Sequence, residues 1–162
     1  MNYNNLAQKT NWTAGSDKFP LLPFYLTNIS IPGMSFSVPE TGSRYGARIN
    51  LASDTVTYNS LSFDFLIDED FELYKMFYTY IIQNVNPGKG TFADKSFNLW
   101  VELNNSKGSS IMKFEFYNCR IESIGDIELD TTSPLTENTM NLSVKFDYFE
   151  VVDTGFPVIN PN

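Results

Sequence analysis

Every second residue from Met140 to Tyr148 is apolar: Met140, Leu142, Val144, Phe146 and Tyr148 are separated by Asn141, Ser143, Lys145 and Asp147. A period of two places all the apolar side chains on one face of an extended chain. Such a segment is accommodated as a strand with one dry and one wet face. The same alternation recurs at Leu61, Phe63, Phe65 and Ile67, at Phe97, Leu99, Val101 and Leu103, and at Met112, Phe114 and Phe116. Strands of this kind need a second layer over their apolar faces, which predicts a mainly β sandwich or barrel.

One segment follows a different period. Phe71, Tyr74, Phe77, Tyr78, Ile81, Ile82 and Val85 recur at helical spacings, preceded by Asp68-Glu69-Asp70 and ended by Asn86-Pro87-Gly88. The acids supply a cap and suit the positive end of a helix dipole. The spacing predicts a single inserted helix over about 69–85, its aromatic face lying on a sheet or on a partner.

The remaining segments are less regular. Residues 1–20 are polar apart from Trp12 and Phe19 and read as a flexible arm that orders against a neighbour. Leu22 to Val38 reads as one long strand or two, broken at Pro32-Gly33. Residues 39–47 read as a loop, 49–51 and 55–58 as short strands, 120–129 as extended with a break at Gly125, and 130–138 as a polar loop. The expected organisation is an arm at 1–20, one β domain at 21–152 with roughly six to eight strands, and an extended tail at 153–162 holding Pro157 and Pro161.

The chemistry available is narrow. With no histidine there is no Ser–His or Cys–His base and no histidine-bearing zinc site. No glycine-rich phosphate loop occurs. Cys119 is the one cysteine, so no intrachain disulfide forms, and its place in Phe114-Glu115-Phe116-Tyr117-Asn118-Cys119 reads as a small buried hydrophobe. Asp68-Glu69-Asp70 lacks the glycine and downstream glutamate of a calcium loop and reads as a cap. Trp100 and Tyr117, or Trp12, are candidate sugar platforms. The mixed company of Asn98, Glu102, Lys113 and Glu115 favours a solvent face or subunit contact instead. No catalytic, cofactor-binding or metal-binding residues are nominated, and an enzyme is not expected.

The formal net charge of −8 argues against a basic groove for nucleic acid, although a negative wall suits a passage through which DNA slides without adhering. The first residues lack a signal-peptide pattern, and no apolar stretch reaches the roughly 20 residues needed to span a bilayer. No membrane anchor is therefore expected. Asn-x-Ser/Thr at Asn11, Asn28, Asn104 and Asn141 reads as chance in an Asn-rich chain.

The order of elements carries a resemblance. Ile31-Pro32-Gly33 leads to Tyr58-Asn59-Ser60-Leu61-Ser62-Phe63-Asp64-Phe65-Leu66-Ile67-Asp68-Glu69-Asp70, then to Tyr74-Lys75-Met76-Phe77. A hairpin holding Phe116-Tyr117-Asn118-Cys119 and a closing Val144-Lys145-Phe146-Asp147-Tyr148 follow. Across about residues 22–151 this is similar to the tail-tube and tube-initiator proteins of contractile-tailed bacteriophages. In those proteins an alternating strand ending in acids runs into an aromatic-faced helix, and a long alternating strand closes the domain.

The resemblance implies hexameric rings in which each subunit gives strands to one continuous β-barrel around a lumen, with the helix packed outside. Stacked rings would form a tail tube that conducts DNA during ejection, the DNA passing without specific binding. Sheath, baseplate and tape-measure proteins are the implied partners. The implied location is the virion, after synthesis in the host cytoplasm, with no catalytic residues and no cofactor. The alternatives are a baseplate or tube-initiator ring of the same fold, and a carbohydrate-binding β-sandwich. That the matched stretch fills most of the chain favours the repeated tube subunit. Residues 1–20 and 36–58 are expected at contacts between subunits and rings. Asp64, Glu102 and Asp147 would line a lumen if their strand faces point inward.

Overall fold

The computed structural model of the chain describes residues 9–37, 40–42, 48–50, 55–85, 95–132 and 137–153. In chain order the elements begin with β1 (Trp12–Ser16), one helical turn α1 (Leu22–Tyr25), β2 (Leu26–Ser30), β3 (Met34–Phe36), β4 (Glu40–Gly42), β5 (Arg48–Asn50) and β6 (Val56–Tyr58). They continue with β7 (Leu61–Leu66), the helix α2 (Glu72–Val85), β8 (Phe97–Asn104), β9 (Ser110–Ile124), β10 (Thr139–Lys145) and β11 (Tyr148–Asp153).

Seven of these strands form one antiparallel sheet with two wings, joined because β9 is long enough to belong to both. In the first wing β8 lies between β1 and β9, and β11 pairs the far side of β9 from Tyr117 to Met112. In the second wing β9 continues beside β10 from Arg120 to Ile124, and β7 and β2 follow in order. The changeover is at Asn118, whose φ of 55° is a left-handed conformation that asparagine tolerates better than most residues. Opposite it the closing strand breaks at Phe146-Asp147, and the Asp147 N–H donates to the Tyr117 carbonyl at 3.1 Å. The single strand expected from Met140 to Tyr148 is thus two strands around a corner, the device by which one strand switches sheets.

The apolar side of each alternating strand faces the core. Leu61, Phe63 and Phe65 of β7, Met140, Leu142 and Val144 of β10, and Phe97, Leu99 and Val101 of β8 are all buried. Helix α2 covers one side of this core through Leu73 and Phe77. The Phe77 ring meets Phe19 at 4.8 Å and Phe65 at 5.4 Å between centroids, both edge-on. The buried face of the helix is rotated from the expected one: Leu73 lies inside, while Tyr78, Ile82 and Val85 are exposed. Aromatic spacing alone marked too wide a stripe, because the sheet beneath accepts only the side centred on Leu73 and Phe77.

Three other expectations are corrected. Residues 12–20 are not a free arm: Trp12–Ser16 pairs with β8, and Ala14 and Phe19 are buried in the core. Leu22–Tyr25 is a helical turn and not strand, with Pro23 at its start, where a fixed φ suits a helix and a missing N–H costs nothing. Within the expected 39–47 loop, Glu40–Gly42 is a strand, β4, paired antiparallel with β5. Residues 1–8 of the expected arm and 154–162 of the expected tail lie outside the described residues. Within one chain the described strands close no barrel.

Candidate functional site

The second wing turns its polar side outward, and the cross-strand register arranges that side in rows. Ser30 is opposite Ser62, Ser62 opposite Ser143, and Ser143 opposite Ser123, so each of the four strands gives one serine to a single row. In the next row Asp64 lies between Asn28 and Asn141. Its two carboxylate oxygens accept from the Asn28 amide at 2.9 Å and the Asn141 amide at 2.8 Å. Asn141 also donates to the Ser62 hydroxyl at 2.9 Å, linking the two rows.

On the other side of the serine row β9 carries a bulge. Ser143 pairs with Ser123 and Val144 with Ile121, which leaves Glu122 as the extra residue. Its carboxylate accepts from Ser60 at 2.7 Å and Ser143 at 3.1 Å, and Lys145 Nζ stands 3.2 Å away. The Ser60 hydrogen bond foremost, then those of Lys145 and Ser143, hold the Glu122 carboxyl below its usual range. Arg120 reaches Asp147 at 3.7 Å.

The chain's negative excess lies elsewhere. In the antiparallel sheet the ends of β7 and β9 and the start of β10 come together. Asp68, Glu69, Asp70 and Glu72 follow the end of β7, and Asp126, Glu128 and Asp130 follow β9, so acidic residues collect at that one end of the wing. Both sides of the wing are open. Among the described residues no strand pairs with the outer side of β2, or with the side of Arg120–Ile124 turned away from β10.

The first wing faces outward with Trp100, Glu102, Lys113, Glu115, Tyr117 and Tyr148. Trp100 lies across Gly15, where an added Cβ would meet ring atom Cε2 at 2.7 Å, and Lys113 Nζ sits 5.6 Å from its ring centroid. Tyr117 is stacked on Tyr148 at 4.9 Å and donates to Glu115 at 2.7 Å. Lys113 stands 2.7 Å from Glu115. Hydrogen bonds from Lys113 and then Tyr117 lower the Glu115 pKa, while the bond to Glu115 pushes the Tyr117 phenol up to about 12. Both candidate rings are thus engaged within the chain, Trp100 by Gly15 and Lys113 and Tyr117 by Tyr148, and Trp12 is packed against the core.

Of the three acids that sequence pattern offered for a lumen, only Asp64 lies within the rows of the second wing. Asp147 is at the corner, and Glu102 is on the first wing opposite Lys113. Asp68 acts as the expected cap, accepting the Glu72 N–H at 3.1 Å. Cys119 is fully buried, and burial pushes its thiol up to about 12. Among the described residues no group of three acids, cysteines or histidines converges on a metal-sized site. The serine row was not visible in the sequence, because it exists only once four distant segments are in register.

No family model and no curated protein matches this sequence. Solved structures do. A chain of the anti-feeding prophage cap, which terminates that tube, superposes with a TM-score of 0.74 at 12% identity over 95% of each chain. A chain of the anti-feeding prophage baseplate, a six-fold symmetrised assembly, gives 0.70 at 13% identity over 96% of this chain and 100% of that one. A chain from the sheath/tube terminator of an extracellular contractile injection system, PVC, gives 0.70 at 12% identity over 92% of this chain and 98% of that one. At these identities what is shared is the fold.

Proposed function

We propose that this chain is a structural subunit of a tube-type conduit, and that it forms a ring at an end of that conduit, on the baseplate side or as a cap. The observation that carries the reading is the second wing. It has four antiparallel strands, an apolar side spent on the core, a polar side left outward, and two open edges. Open edges invite pairing with another chain, and closing them copy to copy removes them altogether. In such a ring β2 of one subunit pairs with the Arg120–Ile124 segment of the next, and the serine rows line the passage.

Matched folds occur in a baseplate, a tube-terminating cap and a tube terminator, which supports the end-ring position, and also in a sheath-tube complex, which supports the repeated subunit. The six-fold assembly of one of them supports a hexamer here. A second reading is the repeated tube subunit, favoured by the ribbon of β3 and β6. Met34, Phe36 and Val56 stand exposed along its face, while Tyr58 at its base packs on Phe146 and Phe149 at 5.5 and 5.4 Å. An apolar ribbon of this kind suits a contact between stacked rings. We assign residues 1–11, with the 36–58 region, to contacts between subunits and between rings. The setting is a phage tail or related injection apparatus, with sheath and baseplate proteins as neighbours; DNA passage, a tape-measure partner and a virion location are its phage-specific form.

Negative-stain electron microscopy with size-exclusion chromatography over a concentration series tests the reading. Closed rings that do not stack are the expected result, and stacked tubes would move the assignment to the repeated subunit. A monomer at every concentration would overturn both.

A further inference from the structure

Within the second wing the two inner strands, β7 and β10, pair without interruption from Leu66–Thr139 to Leu61–Val144. The two outer strands do not. On β2, Leu26 pairs with Phe65 and Asn28 with Asp64, which leaves Thr27 as an extra residue. On β9 the extra residue is Glu122, between Ile121 and Ser123. Each open edge of the wing thus carries a bulge, and both bulged residues are exposed.

Both extra side chains are tied back to the sheet. The Thr27 hydroxyl donates to the Asp64 carbonyl at 2.9 Å, and the Glu122 carboxylate is held by Ser60, Ser143 and Lys145. The core requires neither residue. Without Thr27, Leu26 and Asn28 would follow one another opposite Phe65 and Asp64. Without Glu122, Ile121 and Ser123 would follow one another opposite Val144 and Ser143. Every other side chain would keep its face of the sheet. What a bulge adds is a bend and a stronger local twist. Closing a sheet into a barrel links twist, stagger and strand number, so a bulge repeated in every copy accumulates around the ring.

We infer that the bulges at Thr27 and Glu122 set the turn and stagger between successive copies, and so fix the number of subunits in the ring. The inference rests on the ring reading, in which these two edges meet; the bulges themselves belong to the single chain. Thr27 and Glu122 are then positioning residues for assembly, and the partner they fit is a second copy of this chain.

Deletion of Glu122, deletion of Thr27 and the substitution Glu122→Gln test it. Native mass spectrometry counts the subunits per ring, and electron-microscopy class averages read the symmetry. Each deletion variant is expected to stay folded by circular dichroism and to form rings of a different subunit number, or arcs that do not close. Glu122→Gln keeps the extra residue and removes only its charge, and is expected to keep the wild-type ring. Wild-type rings from either folded deletion variant would overturn the inference. A changed ring in Glu122→Gln would overturn it too, by assigning the effect to charge. Fibrous aggregates from the deletions would mean that the bulges only guard the edges, with the same consequence. If neither deletion folds, Glu122→Ala serves in their place. It keeps the extra residue, cuts its tethers and is expected to widen the spread of ring sizes; a spread as narrow as that of wild type refutes the inference. A wild-type chain that forms no ring sinks the ring reading and this inference together, whereas unchanged rings in the deletion variants sink the inference alone.

Discussion

At the scale of single residues, two positions make sharp predictions. Gly15 is a glycine because the Trp100 indole occupies the place of its Cβ. Gly15→Ala is expected to destabilise the chain by roughly 1–3 kcal/mol, as overpacking does. In a Trp100→Val background the same change is expected to be neutral or stabilising, since a strand glycine then has nothing above it. Denaturant midpoints of the four proteins in this cycle check it, and additive effects would refute the contact. Cys119 is the second position. Its thiol is raised by burial to about 12 from an ordinary 9.0, so the folded state keeps a proton that the unfolded chain releases first. The stability this contributes is complete below pH 9 and is lost as pH rises toward 12. Wild type is therefore expected to lose more stability over that range than Cys119→Ala, measured by the denaturant midpoint at each pH. The sequence made the burial of Cys119 legible through its strand-like neighbours, whereas the Trp100–Gly15 contact depends on the pairing of two segments 85 positions apart and left no local trace.

At the scale of elements, the segments with a clean period were the ones legible in sequence. Strands β7 and β8 fall where alternation placed them, β10 fills the first part of its alternating run, and the helix α2 fills 72–85 of the expected 69–85, because each buries one face and the pattern records it. Strand β1 was missed because Thr13, Ala14, Gly15 and Ser16 are small or polar; it is held by backbone pairing to β8, which no side-chain period reports. This distinction has a direct test by truncation. Removing residues 1–18 takes away β1, Ala14 and the approach to Phe19, whose ring meets Phe77, Tyr80 and Phe97. That truncation is expected to lower the melting temperature by many degrees or to abolish folding, while removal of residues 1–8 leaves it within a few degrees. Equal melting temperatures for the two truncations would mean that β1 contributes nothing to the fold.

At the scale of the whole molecule, the open edges decide what the chain does next. In an edge strand half of the amides point away from the sheet and exchange with solvent. Hydrogen exchange in Leu26–Ser30 and Arg120–Ile124 is therefore expected to be fast in the monomer and strongly slowed in the assembled ring. The central strand β10 is expected to be slow in both. Rings in which those two edges still exchange quickly would mean that closure uses some other surface. The corner at Asn118 bears on how such a ring carries load. Because one strand runs unbroken through both wings, a push on one wing travels to the other along covalent bonds, and neither wing can slide over the other like a card in a pack. The backbone at Asn118 is then a fulcrum: strain applied at one wing emerges as rotation of the other, and each subunit responds to force as a single rigid lever.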